Sequence, residues 1–229
     1  MATKAETWLT ERLDYTFDDA RLLQLALTHR SAPGDNNERL EFLGDAVLDF
    51  VISEAIFRTH PMAQEGDLSR LRASLVNDAT LADIAVGLDV GKHLILGSGE
   101  KKTGGHRRES ILADALEALF GAVYLDAGFE AARTVIERTY GARLTDFPDI
   151  DDLRDPKTRL QEWLQARQRG LPNYELTNVT GKAHQQTFEV DCRIDGRDTV
   201  TSGSGTSRRN AEQQAAERML AVLMAGREQ

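Results

Sequence analysis

From about Trp8 to Arg143 the apolar residues recur every three or four positions, as in Leu22, Leu25 and Ala26 or Leu71, Leu75 and Val76, and no alternating stretch interrupts them. That spacing lines one stripe of a helix, so this part is predicted to be all-helical. The pattern breaks at Asp146-Phe147-Pro148-Asp149-Ile150-Asp151-Asp152, an acidic run punctuated by proline, with Pro156 soon after. This reads as a linker over 146–153, separating a domain over 1–145 from another over 154–226. In the second domain Leu160, Trp163 and Leu164 mark one face of a helix. Three short strands are predicted at about 173–180, 186–194 and 198–203, separated by the turn formers Thr180-Gly181-Lys182 and Asp195-Gly196. A last helix starts near Ser207 as N-cap and runs through Ala211, Ala215, Met219 and Leu223. The predicted fold class is an all-α domain followed by a small α+β domain of order α-β-β-β-α.

Polar residues inside the most apolar helices change this picture. Around Leu40 to Phe57 the helix is apolar on nearly every side (Leu40, Phe42, Leu43, Ala46, Val47, Leu48, Phe50, Val51, Ile52), so it is expected to be mostly buried. Glu38, Glu41 and Asp45 stand in it at offsets 0, 3 and 7, within an arc of about 60° at 3.6 residues per turn. A second apolar helix, from Ser110 to Phe120, carries two acids at its centre, Asp114 and Glu117, again three apart. Carboxylates that lose hydration next to one another cost several kcal/mol per uncompensated ion, roughly. Acidic helix faces are ordinarily solvated or paired with basic side chains. Two acid stripes on the two most apolar helices point instead to a metal. All-oxygen ligation suits Mg²⁺, with Mn²⁺ as a substitute, and the Glu-x-x-His spacing of di-iron proteins is absent. Divalent metals held in this way lower the pKa of a bound water and clamp the attacking and leaving oxygens of a phosphodiester.

Composition sets limits. The chain has 229 residues, 41% of them hydrophobic, and a net charge of −9, which at first sight disfavours a nucleic-acid partner. The charge is unevenly spread: residues 153–229 hold 12 Lys and Arg against 10 Asp and Glu, a net of +2, which leaves 16 against 27 in residues 1–152, a net of −11. No run of about 18 apolar residues exists, and the N-terminal stretch has early acids and no apolar core, so no membrane span or secretory signal is expected and the cytoplasm is the expected location. Cys192 has no partner at disulfide or zinc spacing, and its place in the alternating run Phe188, Val190, Cys192, Ile194 reads as strand core. No small organic cofactor is expected.

Asn37-Glu38-Arg39-Leu40-Glu41-Phe42-Leu43-Gly44-Asp45-Ala46-Val47-Leu48 resembles the signature of the ribonuclease III family. So do Thr28-His29-Arg30-Ser31, Glu65-Gly66-Asp67-Leu68-Ser69, and Gly104-Gly105 through Ser110 to Ala118, so the resemblance spans essentially the whole chain. It implies a magnesium-dependent endonuclease of double-stranded RNA in which Glu41, Asp45, Asp114 and Glu117 ligate the metal. Asp45 and Glu117 would be tied most directly to hydrolysis, with Glu38 and Glu65 supporting the site or the RNA near it. It also implies a homodimer, with Phe42 and Val47 as interface candidates, and products carrying 5′-phosphates, 3′-hydroxyls and short 3′ overhangs. The implied substrates are precursors of ribosomal RNA and structured messenger or transfer RNA. Asp35 departs from relatives that have a histidine or aromatic residue nearby, which leaves the ligand set untouched. Arg39 suits either a phosphate contact or an ion pair within the motif, and His29 reads as a hydrogen-bonded structural histidine rather than a general base.

The second domain resembles the double-stranded RNA-binding domain in three patches. The first helix offers Thr158, Gln161, Glu162 and Gln165 to 2′-hydroxyls and base edges of a minor groove. Lys182 and His184, in Gly181-Lys182-Ala183-His184, match the second contact. Arg208 and Arg209, in Gly203-Ser204-Gly205-Thr206-Ser207-Arg208-Arg209, match the third, at a helix N-terminus facing major-groove phosphates. Relatives usually carry lysines at these two places, so the charge is kept while the contact geometry differs. Such patches read A-form shape rather than sequence. Two rival readings remain: a non-cleaving scaffold on duplex RNA, which loss of acids would mark, and an enzyme of phosphorylated metabolites with an interaction module.

Overall fold

Among the described residues, helical periodicity in the first part is realised as eight α-helices: α1 (Lys4–Leu13), α2 (Ala20–Ala26), α3 (Glu38–Thr59), α4 (Glu65–Val76), α5 (Asp78–Gly87), α6 (Ser98–Lys102), α7 (Glu109–Ala127) and α8 (Phe129–Tyr140). The computed structural model describes residues 3–149, 153–182 and 185–225, and it divides into two units between Pro148 and Asp149. His184 and residues 150–152 of the linker stretch lie outside the described residues.

Helix α7 is the centre of the first unit. Ile111, Leu112, Ala113, Ala115, Leu116 and Ala118 through Val123 are all buried, and α7 packs on α2, α3, α5 and α8. Its crossing with α3 is unusually close because two glycines meet there. A Cβ at Gly44 would lie 1.8 Å from the Glu117 carbonyl oxygen, and one at Gly121 would lie 2.3 Å from that of Leu40. No other residue fits either place without moving a helix. Asn37 fixes the start of α3: its backbone N–H donates to the Thr28 carbonyl at 2.8 Å and its buried side-chain amide to that of Ala26 at 3.3 Å.

The expectation that α3 is mostly buried is corrected. Leu40, Val47, Leu48, Val51, Ile52 and Ile56 face the core, whereas Phe42, Phe50 and Phe57 are 80%, 56% and 69% exposed. Apolar periodicity reports that a surface favours being covered; it does not report by what. Val47, an interface candidate from sequence, is only 7% exposed and belongs to this chain's own core, while Phe42 stands free of it.

The second unit follows the order helix, three strands, helix: α9 (Pro156–Gln165), β1 (Asn173–Thr180), β2 (Thr187–Arg193), β3 (Val200–Gly205) and α10 (Arg208–Ala225). The third strand begins two residues later than its expected start and ends two later. The strands form an antiparallel sheet in the order β1-β2-β3, with Tyr174 opposite Cys192 and Cys192 opposite Thr201. Leu160 and Leu164 of α9, Cys192 and Ile194, and Ala215, Ala216, Met219, Leu220 and Leu223 of α10 make the core, so Cys192 is the strand-core residue its alternation predicts. Gly203 lets β3 lie against α10, since a Cβ there would meet the Ala211 carbonyl oxygen at 2.2 Å. Ser207 caps α10, its hydroxyl accepting from the Asn210 N–H at 3.2 Å. Among the described residues no helix is long and apolar enough to cross a membrane.

Candidate functional site

The α3–α7 crossing decides which acids meet. Glu41 lies one turn before Gly44 on α3, and Glu117 belongs to the very residue whose backbone Gly44 touches. Asp114 sits one turn earlier on α7. Carboxylate oxygens of Glu41, Asp114 and Glu117 all lie within 4.8 Å of one another, and all three side chains are half-buried. Asp45 is exposed one turn farther along α3, outside that group yet near enough to act on Glu117. Glu38 is exposed at the mouth and pairs with Arg30 at 3.5 Å. Glu65 is not brought to the cluster: it opens α4, accepts from the Ser69 hydroxyl at 2.9 Å, and lines a cleft of about 450 Å³ with Phe50, Glu54, Phe57 and Arg72.

Electrostatics in this group are uncompensated. Burial, followed by Asp45, Glu41, Asp114 and Asp78, pushes the Glu117 carboxyl up to about 8. Burial and then Asp114 and Glu38 raise that of Glu41, with Arg30 opposing. Burial and then Asp78 raise that of Asp114, with His29 and Arg30 opposing. Among the described residues no ion pair reaches Glu41, Asp114 or Glu117. Hard oxygen donors packed this closely, with Arg30 and His29 acting on them only from outside ion-pair distance, fit a divalent metal. His29 stays out of the group: its Nδ1 accepts from the Ser31 N–H at 3.1 Å and lies 2.8 Å from the Ser31 hydroxyl, the structural role read from sequence.

Comparison with known proteins agrees with this geometry. Residues 19–144 match the Ribonuclease-III-like family model, and residues 156–223 match the Double-stranded RNA binding motif. The chain is 58% identical over 215 residues to Ribonuclease 3 of Alkalilimnicola ehrlichii, covering 94% of both chains. It is 53% identical over 218 residues to that of Vibrio cholerae, covering 95% of this chain and 97% of that one. This chain belongs to the ribonuclease III family. Among solved structures, the nuclease domain of ribonuclease III from Campylobacter jejuni superimposes with a TM-score of 0.57 at 50% identity, covering 58% of this chain and 93% of that one. As a member of the ribonuclease III family it is an endoribonuclease acting on double-stranded RNA, and its acid group has the donor atoms that could hold a divalent metal.

The second unit presents its contact candidates unevenly. Gln161, Gln165, Lys182 and Arg209 are exposed. The Thr158 hydroxyl is instead committed to Asp155, donating at 2.7 Å beside the helix cap that Asp155 makes with the Thr158 N–H. Glu162 pairs with Arg154 at 3.0 Å, and Arg208 with Glu212 at 2.9 Å. Two acids were missed by sequence reasoning, and one of them, Asp78, acts on the acid group. Asp78 opens α5 next to the N-cap Asn77 and resembles any helix-start acid; only the fold carries it to Asp114 and Glu117. Glu100 pairs with Arg108 at 2.7 Å under Gly105, whose Cβ would meet its side chain at 2.6 Å, so it braces the loop before α7.

Proposed function

We propose that the carboxylates of Glu41, Asp45, Asp114 and Glu117 hold Mg²⁺, with Mn²⁺ as a substitute, and that this site hydrolyses phosphodiester bonds in duplex RNA. The reading rests on one observation: three half-buried carboxylates with oxygens within 4.8 Å, all pushed toward protonation, at a glycine-paired helix crossing. A divalent cation bound there supplies the positive charge that stabilises a phosphodiester as negative charge develops on it. Glu41 and Glu117 set the distance across the crossing, and Asp114 fixes the third side. Asp45 and Glu117 are the residues nearest the reacting phosphate in this reading, while Glu38, held by Arg30, steadies the site's rim, and Glu65, away from the acid group, is left to the RNA nearby.

The remaining assignments follow from the same reading. The catalytic domain spans 1–145, the linker 146–153 and the RNA-binding domain 154–226. Gln161, Gln165, Lys182, His184, Arg208 and Arg209 are the contacts to the duplex in this reading, with Arg208 and Arg209 on phosphates, while Thr158 and Glu162 join them only by leaving Asp155 and Arg154. Two copies pair through the α3 face that exposes Phe42, so that one site cuts each strand. The Campylobacter jejuni nuclease domain likewise has a region involved in dimer formation. Products carry 5′-phosphates and 3′-hydroxyls with short 3′ overhangs, and the substrates are cytoplasmic ribosomal, messenger and transfer RNA precursors. Incubation of the full chain with Mg²⁺ and an end-labelled RNA duplex, beside the same strand unpaired, tests this. Internal cutting confined to the duplex is expected. Equal cutting of the single strand, or none of the duplex, contradicts it.

A further inference from the structure

The first two turns of α10 and the start of α9 are joined through one carboxylate. Glu212 Oε2 accepts from Lys157 Nζ at 2.6 Å and Oε1 from Arg208 Nε at 2.9 Å, with its side chain only 13% exposed. Gln213 adds a parallel bridge: its Oε1 accepts from the Lys157 N–H at 3.0 Å and its Nε2 donates to Asp155 Oδ1, also at 3.0 Å. Lys157 is held from another side as well, its Nζ 4.5 Å from the centre of the Tyr174 ring. Arg208 differs. Its side chain is 58% exposed, and among the described residues Glu212 alone binds its guanidinium.

We infer that Glu212 is a positioning residue for duplex binding: it holds Arg208 by the Nε edge and ties it to α9, fixing the spacing between two RNA-facing surfaces. This rests on the reading of Arg208 as an RNA contact. Charge alone gives the opposite expectation. A unit with a net charge of only +2 that places an acid between two of its cations would bind phosphate better without it. What the acid contributes is geometry. A guanidinium fixed at Nε meets a phosphate with its terminal nitrogens at little further entropic cost, whereas an untethered arginine must be ordered on binding. Shape readout over an A-form helix depends on contacts held at a set distance, here between α9 and the start of α10.

A double-mutant cycle on the full chain tests this, with duplex affinity measured in EDTA and cleavage measured in Mg²⁺. Glu212→Gln is expected to weaken duplex binding roughly five- to tenfold, Arg208→Ala by a similar factor, and the double variant no more than Arg208→Ala alone. In cleavage, Glu212→Gln raises KM and leaves kcat at saturating duplex unchanged. Binding by Glu212→Gln as tight as wild type or tighter overturns the inference, as does full additivity or a fall in kcat with KM unchanged. An Arg208→Ala variant that binds normally fails at the earlier step, removing Arg208 as an RNA contact. Should Glu212→Gln melt below the assay temperature, Glu212→Asp decides: it keeps the charge but is too short to span both cations. Wild-type affinity in that variant overturns the inference.

Discussion

Two partly buried glutamates, one in each unit, are treated by the fold in opposite ways. Glu117 is surrounded by Asp45, Glu41, Asp114 and Asp78, and its carboxyl is pushed up to about 8. Glu212 is also partly desolvated, which alone would raise it, yet the hydrogen bonds from Lys157 and Arg208 hold it below the usual carboxylate value. Residue type is the same and both are partly buried, Glu117 the more deeply; the neighbours are opposite in charge. A carboxylate crowded by carboxylates is suited to a cation, while one flanked by a lysine and an arginine is suited to bracing them. The charge asymmetry along the chain, −11 against +2, is the coarse trace of this local difference.

The comparison is broken most severely at Gly44. Alanine there would put a methyl group 1.8 Å from the Glu117 carbonyl oxygen, so α3 and α7 must separate. We expect Gly44→Ala to cost about 3 kcal/mol in denaturant unfolding, the upper part of the usual range for overpacking. It should also lower cleavage on the order of a hundredfold, since an ångström of misplacement at a reacting site has that effect. An alanine variant that is stable and fully active would mean that the close crossing does not set the acid geometry.

A smaller effect sharpens the contrast through pH. Glu117 has a raised folded-state pKa, so without metal the unfolded chain releases its proton near the ordinary value while the folded chain keeps it until about 8. Over that window the folded state binds more protons, and stability falls as pH rises. Glu212, with its lowered value, contributes stability above the ordinary carboxylate pKa and loses it as pH falls through the folded value. In EDTA the melting temperature should therefore drop between pH 5 and pH 8 by a few degrees, at about 2–4 °C per kcal/mol for a chain of this size. A divalent cation at pH 8 should restore it. A melting temperature that rises from pH 5 to pH 8 in EDTA contradicts the uncompensated cluster.

Some of this was legible in the sequence, for definite reasons. Asp114 and Glu117 could be paired from spacing alone, because residues three apart share a helix face. The second strand was legible because alternation between core and solvent survives in Val190, Cys192 and Ile194, whereas the first strand carries no such alternation. What spacing cannot supply is which helix faces which. Gly44 carries no periodic signal, yet it determines how near Glu41 comes to Glu117. Asp78 at the start of a helix and Glu212 within one carry no signal of their own in the sequence; only the fold gives them their neighbours. Phe42 was counted with its apolar neighbours, and only the three-dimensional packing separates it from Val47.

The division of labour between the two units is tested most directly by Glu117→Gln, with cutting and binding of a labelled RNA duplex measured on the same preparation. The substitution keeps the shape and removes one ligand charge. Cutting in Mg²⁺ is predicted to fall about a thousandfold, the loss of several kcal/mol of transition-state stabilisation, with duplex affinity unchanged within about twofold because the contacts of the second unit are untouched. Undiminished cutting, or a loss of binding that matches the loss of cutting, would contradict it.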